Sequence, residues 1–157
     1  MKFGITDRRD FLLPPFALFY FYIIFASAFH FDGISEQKFF RSIFFSWIGV
    51  ALCVAGLLFL LLSLVSFGRS FRIGVDTTSP DRLVTSGIFS VSRNPIYVGF
   101  VFILIGQFFI FPNWILLLFA LAGIWMCHRQ ILIEENFLQK YYGREYDKYC
   151  QRVRRYI

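Results

Sequence analysis

The residues best suited to chemistry in this sequence lie where an apolar segment begins. Arg93 and Asn94 come directly before the segment, Pro95 opens it, and Tyr97 lies just inside it. Proline is ordinary at the first position of a helix, because its missing N–H would have no partner there. Helix geometry does not require the arginine, the asparagine or the tyrosine. These three residues are therefore candidates for contact with a charged or polar ligand.

A pair of adjacent carboxylates, Glu134 and Glu135, ends the next apolar stretch. Gln130 lies four residues before Glu134, so a helix would place these two side chains on one face. One interpretation is that the pair marks a membrane boundary and forms ion pairs with Arg129 or Lys140. The other is that one carboxylate faces inward and binds a cationic group of a ligand. The residues alone leave both interpretations open.

The elements that must position these residues are apolar helices. The chain of 157 residues is 57% hydrophobic and contains 23 phenylalanines, which is more than a soluble domain of this length needs for its core. Since about 20 apolar residues span a bilayer, we predict a single-domain, all-α polytopic membrane protein with four spans. The expected elements are spans at 11–29, 43–67, 95–111 and 114–133, a loop at 68–94 and a cytoplasmic C-terminal helix at 134–150.

Three local patterns predict how these helices pack. Pro112-Asn113 predicts a tight hairpin between the last two spans, because proline disfavours one continuous helix. Gln107, in the middle of the third span, is expected to form a hydrogen bond across helices. Small residues at seven-residue spacing predict close backbone contacts between helices; they are Ser42, Gly49, Gly56 and Ser63, then Gly99 and Gly106, then Ala120 and Cys127.

The basic residues indicate how the spans are oriented. With four spans, 14 of the 16 Lys and Arg residues fall on one side of the membrane, and Lys38 and Arg41 fall on the other. The side richer in basic residues faces the cytoplasm. We therefore expect both termini and the 68–94 loop to be cytoplasmic, in a prokaryotic inner membrane. Nucleic acid is not an expected partner, because the basic residues are sorted by membrane side.

The beginning of the chain has a second interpretation, as a secretory signal peptide. Basic residues, an apolar run and an Ala-Ser-Ala sequence at 26–28 fit that pattern. A proline pair at 14–15 and two acidic residues before it favour a retained span instead.

Metal chemistry has no support in the sequence. Cys53, Cys127 and Cys150 are widely spaced and form no C-x-x-C motif. His30 and His128 fall on opposite sides of the predicted membrane. We therefore expect no metal site.

The segment from Arg93 to Gly99 resembles the Arg-His-Pro-x-Tyr-x-Gly motif of the isoprenylcysteine carboxyl methyltransferase and phospholipid methyltransferase superfamily. Two further motifs of that superfamily follow in the same order and spacing. They correspond here to Glu134-Glu135 with Leu138, and to Tyr142-Gly143, Glu145-Tyr146, Tyr149 and Val153.

The resemblance implies methyl transfer from S-adenosylmethionine to a lipid-like or prenylated acceptor at the cytoplasmic face of the membrane. It implies a cofactor site formed by Asp81, Arg82, Leu83, Val84, Phe89, Asn94, Pro95, Ile96, Tyr97 and Glu134. Arg93 suits the carboxylate of this cofactor, and Glu134 or Glu135 suits its ammonium. The residues expected to act on the acceptor are Arg129, Gln130 and Glu134.

This chain departs from the superfamily pattern at two positions. Asn94 replaces the usual histidine, and Gln130 replaces an arginine that the prenylcysteine enzymes associate with the substrate carboxylate. We therefore expect a simple prenylcysteine to be a poor acceptor, and the acceptor group could be a carboxylate, an amine or a thiol. Two other functions stay open: an NADPH-dependent membrane reductase of sterol-reductase-like architecture, and a non-catalytic membrane protein that retains the fold.

Overall fold

The computed structural model describes residues 13–29, 42–67 and 83–157. These residues form five α-helices and one short 3-10 helix, Gly87–Ser90. We number the α-helices α1 (Leu13–Ala28), α2 (Ile43–Phe67), α3 (Pro95–Ile110), α4 (Trp114–Tyr142) and α5 (Arg144–Arg152). The all-helical class is confirmed for this part of the chain. Most of the predicted 68–94 loop, including Asp81 and Arg82, lies outside the described residues.

Two of the helices, α2 and α4, are long and apolar enough to cross a membrane by length and composition. Helices α1 and α3 have 16 residues each, whereas a straight crossing takes about 20. The count of four spans therefore remains a prediction. Large apolar side chains of α2 point away from the rest of the protein, as expected for a helix in contact with lipid; Ile43, Trp47 and Val65 are 79%, 67% and 76% exposed.

Helices α2 and α3 pack with their backbones in direct contact. A Cβ atom on Gly56 would lie 2.6 Å from the carbonyl oxygen of Gly99, and a Cβ on Gly49 would lie 2.5 Å from that of Gly106. Only glycine permits such an approach at these positions. The predicted small-residue packing is confirmed for these two helices, and it fixes α3, whose first turn carries the Asn94-Pro95 segment.

Helices α3 and α4 form the predicted hairpin. Helix α3 ends at Ile110, α4 begins at Trp114, and the Oδ1 atom of Asn113 accepts a hydrogen bond of 2.8 Å from the N–H of Leu116. This contact satisfies one of the N–H groups that every helix leaves unpaired at its start. The hydroxyl of Tyr20 on α1 donates to Oε1 of Gln107 on α3, which confirms the predicted hydrogen bond across helices.

The predicted boundary between a span at 114–133 and a separate helix at 134–150 is wrong. Helix α4 continues without interruption to Tyr142, and the chain turns at Gly143, where φ is +50°. Residues 130–142 contain no proline or glycine, so nothing stops the helix before a residue that adopts a positive φ at low cost. Glu134 and Glu135 therefore lie inside a rigid helix.

Candidate functional site

Residues 83–94, which precede α3, are fixed to two other helices. The buried Phe89 ring packs edge-to-face on Phe67 of α2 at 4.8 Å between centroids. Its carbonyl oxygen accepts a hydrogen bond of 2.7 Å from the hydroxyl of Tyr149 on α5. The N–H of Ile88 donates to Oγ of Ser66 at 3.2 Å. These contacts set the direction from which the chain enters α3.

Asn94 connects the start of α3 to the carboxylate pair of α4. Its side chain is 8% exposed, and its Nδ2 atom donates to Oε1 of Glu135 at 3.0 Å. The same Nδ2 donates to the carbonyl oxygen of Arg155 at 3.2 Å. Residues far apart in the sequence, which the motif pattern singles out, are thus in direct contact.

Glu135 is a buried carboxylate between two arginines. Its Oε1 atom lies 3.4 Å from Nη2 of Arg93, and its Oε2 lies 2.8 Å from Nη2 of Arg155. Nε of Arg155 also donates to Oε2 at 2.9 Å. The expected ion pair of this carboxylate with Arg129 or Lys140 is therefore wrong, because its partners are Arg93 and Arg155. No spacing in the sequence indicates Arg155, which reaches Glu135 only because the chain returns after α5.

Arg93 is enclosed by α4 and α5. Its Nη1 donates to Sγ of Cys150, and its guanidinium lies 6.0 Å from the centroid of the Tyr146 ring. Its Nε atom is buried and has no hydrogen-bond partner among the described residues. A buried N–H without a partner costs free energy, so this atom is suited to an acceptor supplied by a ligand.

Glu134 lies in a second cluster, one residue from the first. Its Oε1 accepts hydrogen bonds from the hydroxyl of Tyr97 at 2.6 Å and from Nε2 of Gln130 at 3.1 Å. In the described part of the chain, both donors to Glu134 are neutral groups. Its negative charge is thus oriented by hydrogen bonds, and a cationic ligand group would complement it.

Not every predicted site residue joins these clusters. The exposed Arg129 lies with its guanidinium 5.8 Å from the centroid of the Trp125 ring, so the structure does not bring it to Gln130 and Glu134. Leu83 packs against a core formed by three residues of α5 and the chain that follows it. Pro95 is buried, whereas Val84 and Ile96 are half-buried. Among the described residues, no group of three metal-ligating side chains occurs.

Burial raises the pKa values of the two buried tyrosines of α5, Tyr146 and Tyr149. It raises the pKa of Tyr149 to about 12, and the same cause, followed by the nearby Glu135 charge, raises the pKa of Tyr146. The hydrogen bond to Glu135 raises the pKa of Arg155. The guanidinium groups of Arg93 and Arg155 both lie beside the single carboxylate of Glu135. This cluster therefore has an excess of positive charge.

Several known proteins are similar to this chain in sequence. Residues 44–145 match the sequence model of the phospholipid methyltransferase family. A probable protein-S-isoprenylcysteine O-methyltransferase of Oryza sativa subsp. indica is 30% identical over 113 residues, which are 70% of this chain and 59% of the relative. The protein-S-isoprenylcysteine O-methyltransferase B of Arabidopsis thaliana is 28% identical over 78% of this chain and 66% of its own.

A solved structure also has this fold. It is that of a eukaryotic intramembrane Ras methyltransferase, isoprenylcysteine carboxyl methyltransferase, which superposes with a TM-score of 0.67 at 24% identity. The match covers 96% of this chain and 53% of the other. The chain thus spans only part of the length of the proteins it matches. The family match confirms the resemblance that the sequence motifs indicate.

Proposed function

The chain belongs to the phospholipid methyltransferase family of membrane proteins, and from that membership we propose that it is a methyltransferase that uses S-adenosylmethionine. The observation that carries the proposal is the pair of contacts between α3 and α4. Asn94 donates a hydrogen bond to Glu135, and Tyr97 donates one to Glu134. Residues of the two sequence motifs are thus in contact, and the carboxylate of Glu135 lies beside the guanidinium of Arg93.

The charges of this site fit an α-amino acid group, which S-adenosylmethionine carries. Glu134 has two neutral donors and would complement the ammonium of such a group. Arg93, with its unpartnered Nε, would bind the carboxylate. The carboxylate of the ligand would also offset the positive excess around Glu135. A zwitterionic ligand therefore matches the two adjacent clusters.

The remaining residues of the proposed cofactor site are those that the resemblance implies. We propose that Asn94 and Tyr97 contact the cofactor, whereas Glu135 orients Asn94 through a hydrogen bond and Arg93 through an ion pair. The loop before α3 and the first turn of α3 would contribute the rest of the lining, which comprises Asp81, Arg82, Leu83, Val84, Phe89, Pro95 and Ile96. The cofactor supplies an activated methyl group, so the protein needs chiefly to position the acceptor and exclude water.

The proposed acceptor is a lipid-like or prenylated molecule. The relatives named above are isoprenylcysteine O-methyltransferases, and a lipid-like acceptor could enter from the bilayer between helices. Gln130 donates to Glu134, and its amide would form a hydrogen bond with the acceptor. Arg129, the preceding residue, is the nearest positively charged side chain in the sequence. We further propose that both termini face the cytoplasm, as the distribution of basic residues predicts. The named relatives are eukaryotic and give no support to a prokaryotic inner membrane.

The test is ligand-induced thermal stabilisation of the purified protein in detergent. We expect S-adenosylhomocysteine to raise the melting temperature and NADPH to leave it unchanged. Stabilisation by NADPH alone would favour a reductase, and stabilisation by neither ligand would favour a non-catalytic membrane protein. Transfer of a labelled methyl group to extracted membrane lipids or to a prenylcysteine would then establish the activity.

A further inference from the structure

Residues 153–157, which follow α5, lie against both α3 and α4, and we call them the strap. Val153 is buried with Tyr146 and Tyr149. The N–H of Arg93 donates to the carbonyl oxygen of Arg154 at 3.0 Å. The hydroxyl of Tyr156 forms a hydrogen bond with Nδ1 of His128 on α4. The strap therefore runs beside the proposed cofactor site and is attached to it by several independent contacts.

Arg155 contacts the site through both its main chain and its side chain. Its carbonyl oxygen accepts from Nδ2 of Asn94 at 3.2 Å and from Oγ of Ser92 at 3.4 Å. Its guanidinium binds Oε2 of Glu135 through Nε and Nη2. Two donors on one carboxylate oxygen fix the orientation of that carboxylate, so that Oε1 faces Asn94 and Arg93.

This arrangement determines which atom of Asn94 can meet a ligand. A side-chain amide has two donor hydrogens on nitrogen and one acceptor oxygen. Both donated bonds of Asn94 run to groups of the protein, one to Glu135 and one to Arg155. The amide nitrogen is thus turned toward Glu135 and the strap. Oδ1 accepts no hydrogen bond within the described part of the chain, so it is the atom that can accept one from a ligand.

We propose that Arg155 is a positioning residue for cofactor binding, which acts through Glu135 to orient the amide of Asn94. This inference rests on the proposed function, because it assigns the ligand of Asn94 to the cofactor. The side chain of Arg155 is 38% exposed, compared with 12% for Arg93. Removal of the Arg155 guanidinium therefore leaves a space that water can fill, and the main-chain contacts of the strap remain.

The experiment measures the dissociation constant of S-adenosylhomocysteine by calorimetry in detergent, together with the melting temperature. We expect Arg155→Ala to weaken binding roughly tenfold, which equals the loss of one charge-assisted contact. Arg155→Lys retains the charge but not the paired donors, so a smaller loss is expected. Arg152→Ala is the matched control, because the Nε of Arg152 donates to a carbonyl of its own helix, that of Lys148, and binding should be unchanged.

A double-mutant cycle separates positioning from general stability. If Arg155 acts through Asn94, Arg155→Ala should weaken binding less than twofold in an Asn94→Ala background. Additive losses, or unchanged binding by Arg155→Ala itself, would overturn the inference. If Arg155→Ala does not fold, the same cycle with Arg155→Lys decides the question. Absence of binding by the unmodified protein would instead refute the proposed function.

Discussion

Nδ2 of Asn94 donates to Oε1 of Glu135 at 3.0 Å, although 41 positions separate the two residues in the chain. The contact divides the adjacent carboxylates of α4 between two environments. Glu135 is buried between two arginines, whereas Glu134 is half-buried and, among the described residues, receives neutral donors alone, from Tyr97 and Gln130. Adjacent residues on a helix point about 100° apart, so neighbours can have separate roles.

The first prediction concerns Glu134. Glu134→Gln retains the shape of the side chain and removes its charge, which we assign to the cationic group of the cofactor. We expect the affinity for S-adenosylhomocysteine to fall by about 10- to 150-fold, or about 1.5–3 kcal/mol, with little change in melting temperature. Glu145→Gln, at an exposed position in the first turn of α5, is the control. Equal affinities for both variants would contradict the assignment.

The second prediction concerns Glu135, whose replacement should chiefly lower the stability of the protein. Glu135→Gln leaves the buried guanidinium of Arg93 without its counter-charge, which should cost about 2 kcal/mol or more. In the absence of ligand, we expect the melting temperature of Glu135→Gln to be lower than those of the unmodified protein and of Glu134→Gln, measured in parallel. A melting temperature equal to that of the unmodified protein would mean that the carboxylate does not stabilise the strap and α3.

The sequence predicted the parts of this site that depend on local pattern. Pro95 at the start of a helix, the glycine spacing of α2 and the turn at Pro112-Asn113 each act over a few residues, and each appears in the structure as expected. The partner of Glu135 could not be predicted in this way. Arg155 lies beyond α5, and its approach depends on how the whole chain returns after Gly143.

The end of α4 shows a related limit. The sequence placed a boundary near residue 133, because hydrophobicity decreases there. Helix α4 nevertheless continues to Tyr142, because a change in polarity alters what surrounds a helix without breaking its hydrogen bonds. Glutamate, glutamine and lysine, which are frequent in this stretch, are good helix formers. A membrane boundary and a helix end are therefore separate features of the chain.

The third prediction concerns the contact between α2 and α3. In Gly56→Ala the new Cβ would lie 2.6 Å from the carbonyl oxygen of Gly99, and backbone atoms would have to move apart. We expect a loss of about 1–3 kcal/mol, seen as a lower melting temperature in detergent. Ala51→Leu enlarges an exposed position on the same helix and should have little effect. Equal melting temperatures for the two variants would contradict the close packing.

The fourth prediction concerns topology. Cysteines introduced at residues 33–37, between the first two predicted spans, should react with a membrane-impermeant reagent from the extracytoplasmic side. Cysteines at residues 75–79 and after residue 157 should react only once the membrane is opened. The physical reason is the strong bias of basic residues toward one side. If residues 75–79 and Gln130 react from opposite sides, the 68–94 loop and this part of α4 lie on opposite faces of the membrane. The proposed site could not form in that case.

The last prediction concerns the acceptor and depends on Gln130. Its Nε2 donates to Oε1 of Glu134 at 3.1 Å, which leaves the second N–H and the carbonyl oxygen of the amide to contact an acceptor. A neutral amide cannot form an ion pair with a substrate carboxylate, and we expect slow methylation of a simple prenylcysteine. Gln130→Arg should increase that activity several-fold, because a guanidinium binds carboxylates through two donors.

The cofactor supplies the internal control for this substitution. An arginine at position 130 would also lie within reach of Glu134, four residues away on one helix face. We therefore expect its affinity for S-adenosylhomocysteine to be unchanged or weaker, so that any gain in activity arises from the acceptor. Gln151→Arg, at an exposed position on α5, adds the same charge away from the site and should not increase methylation. Efficient carboxyl methylation by the unmodified protein would show that another cation, such as Arg129, binds the substrate carboxylate in place of residue 130.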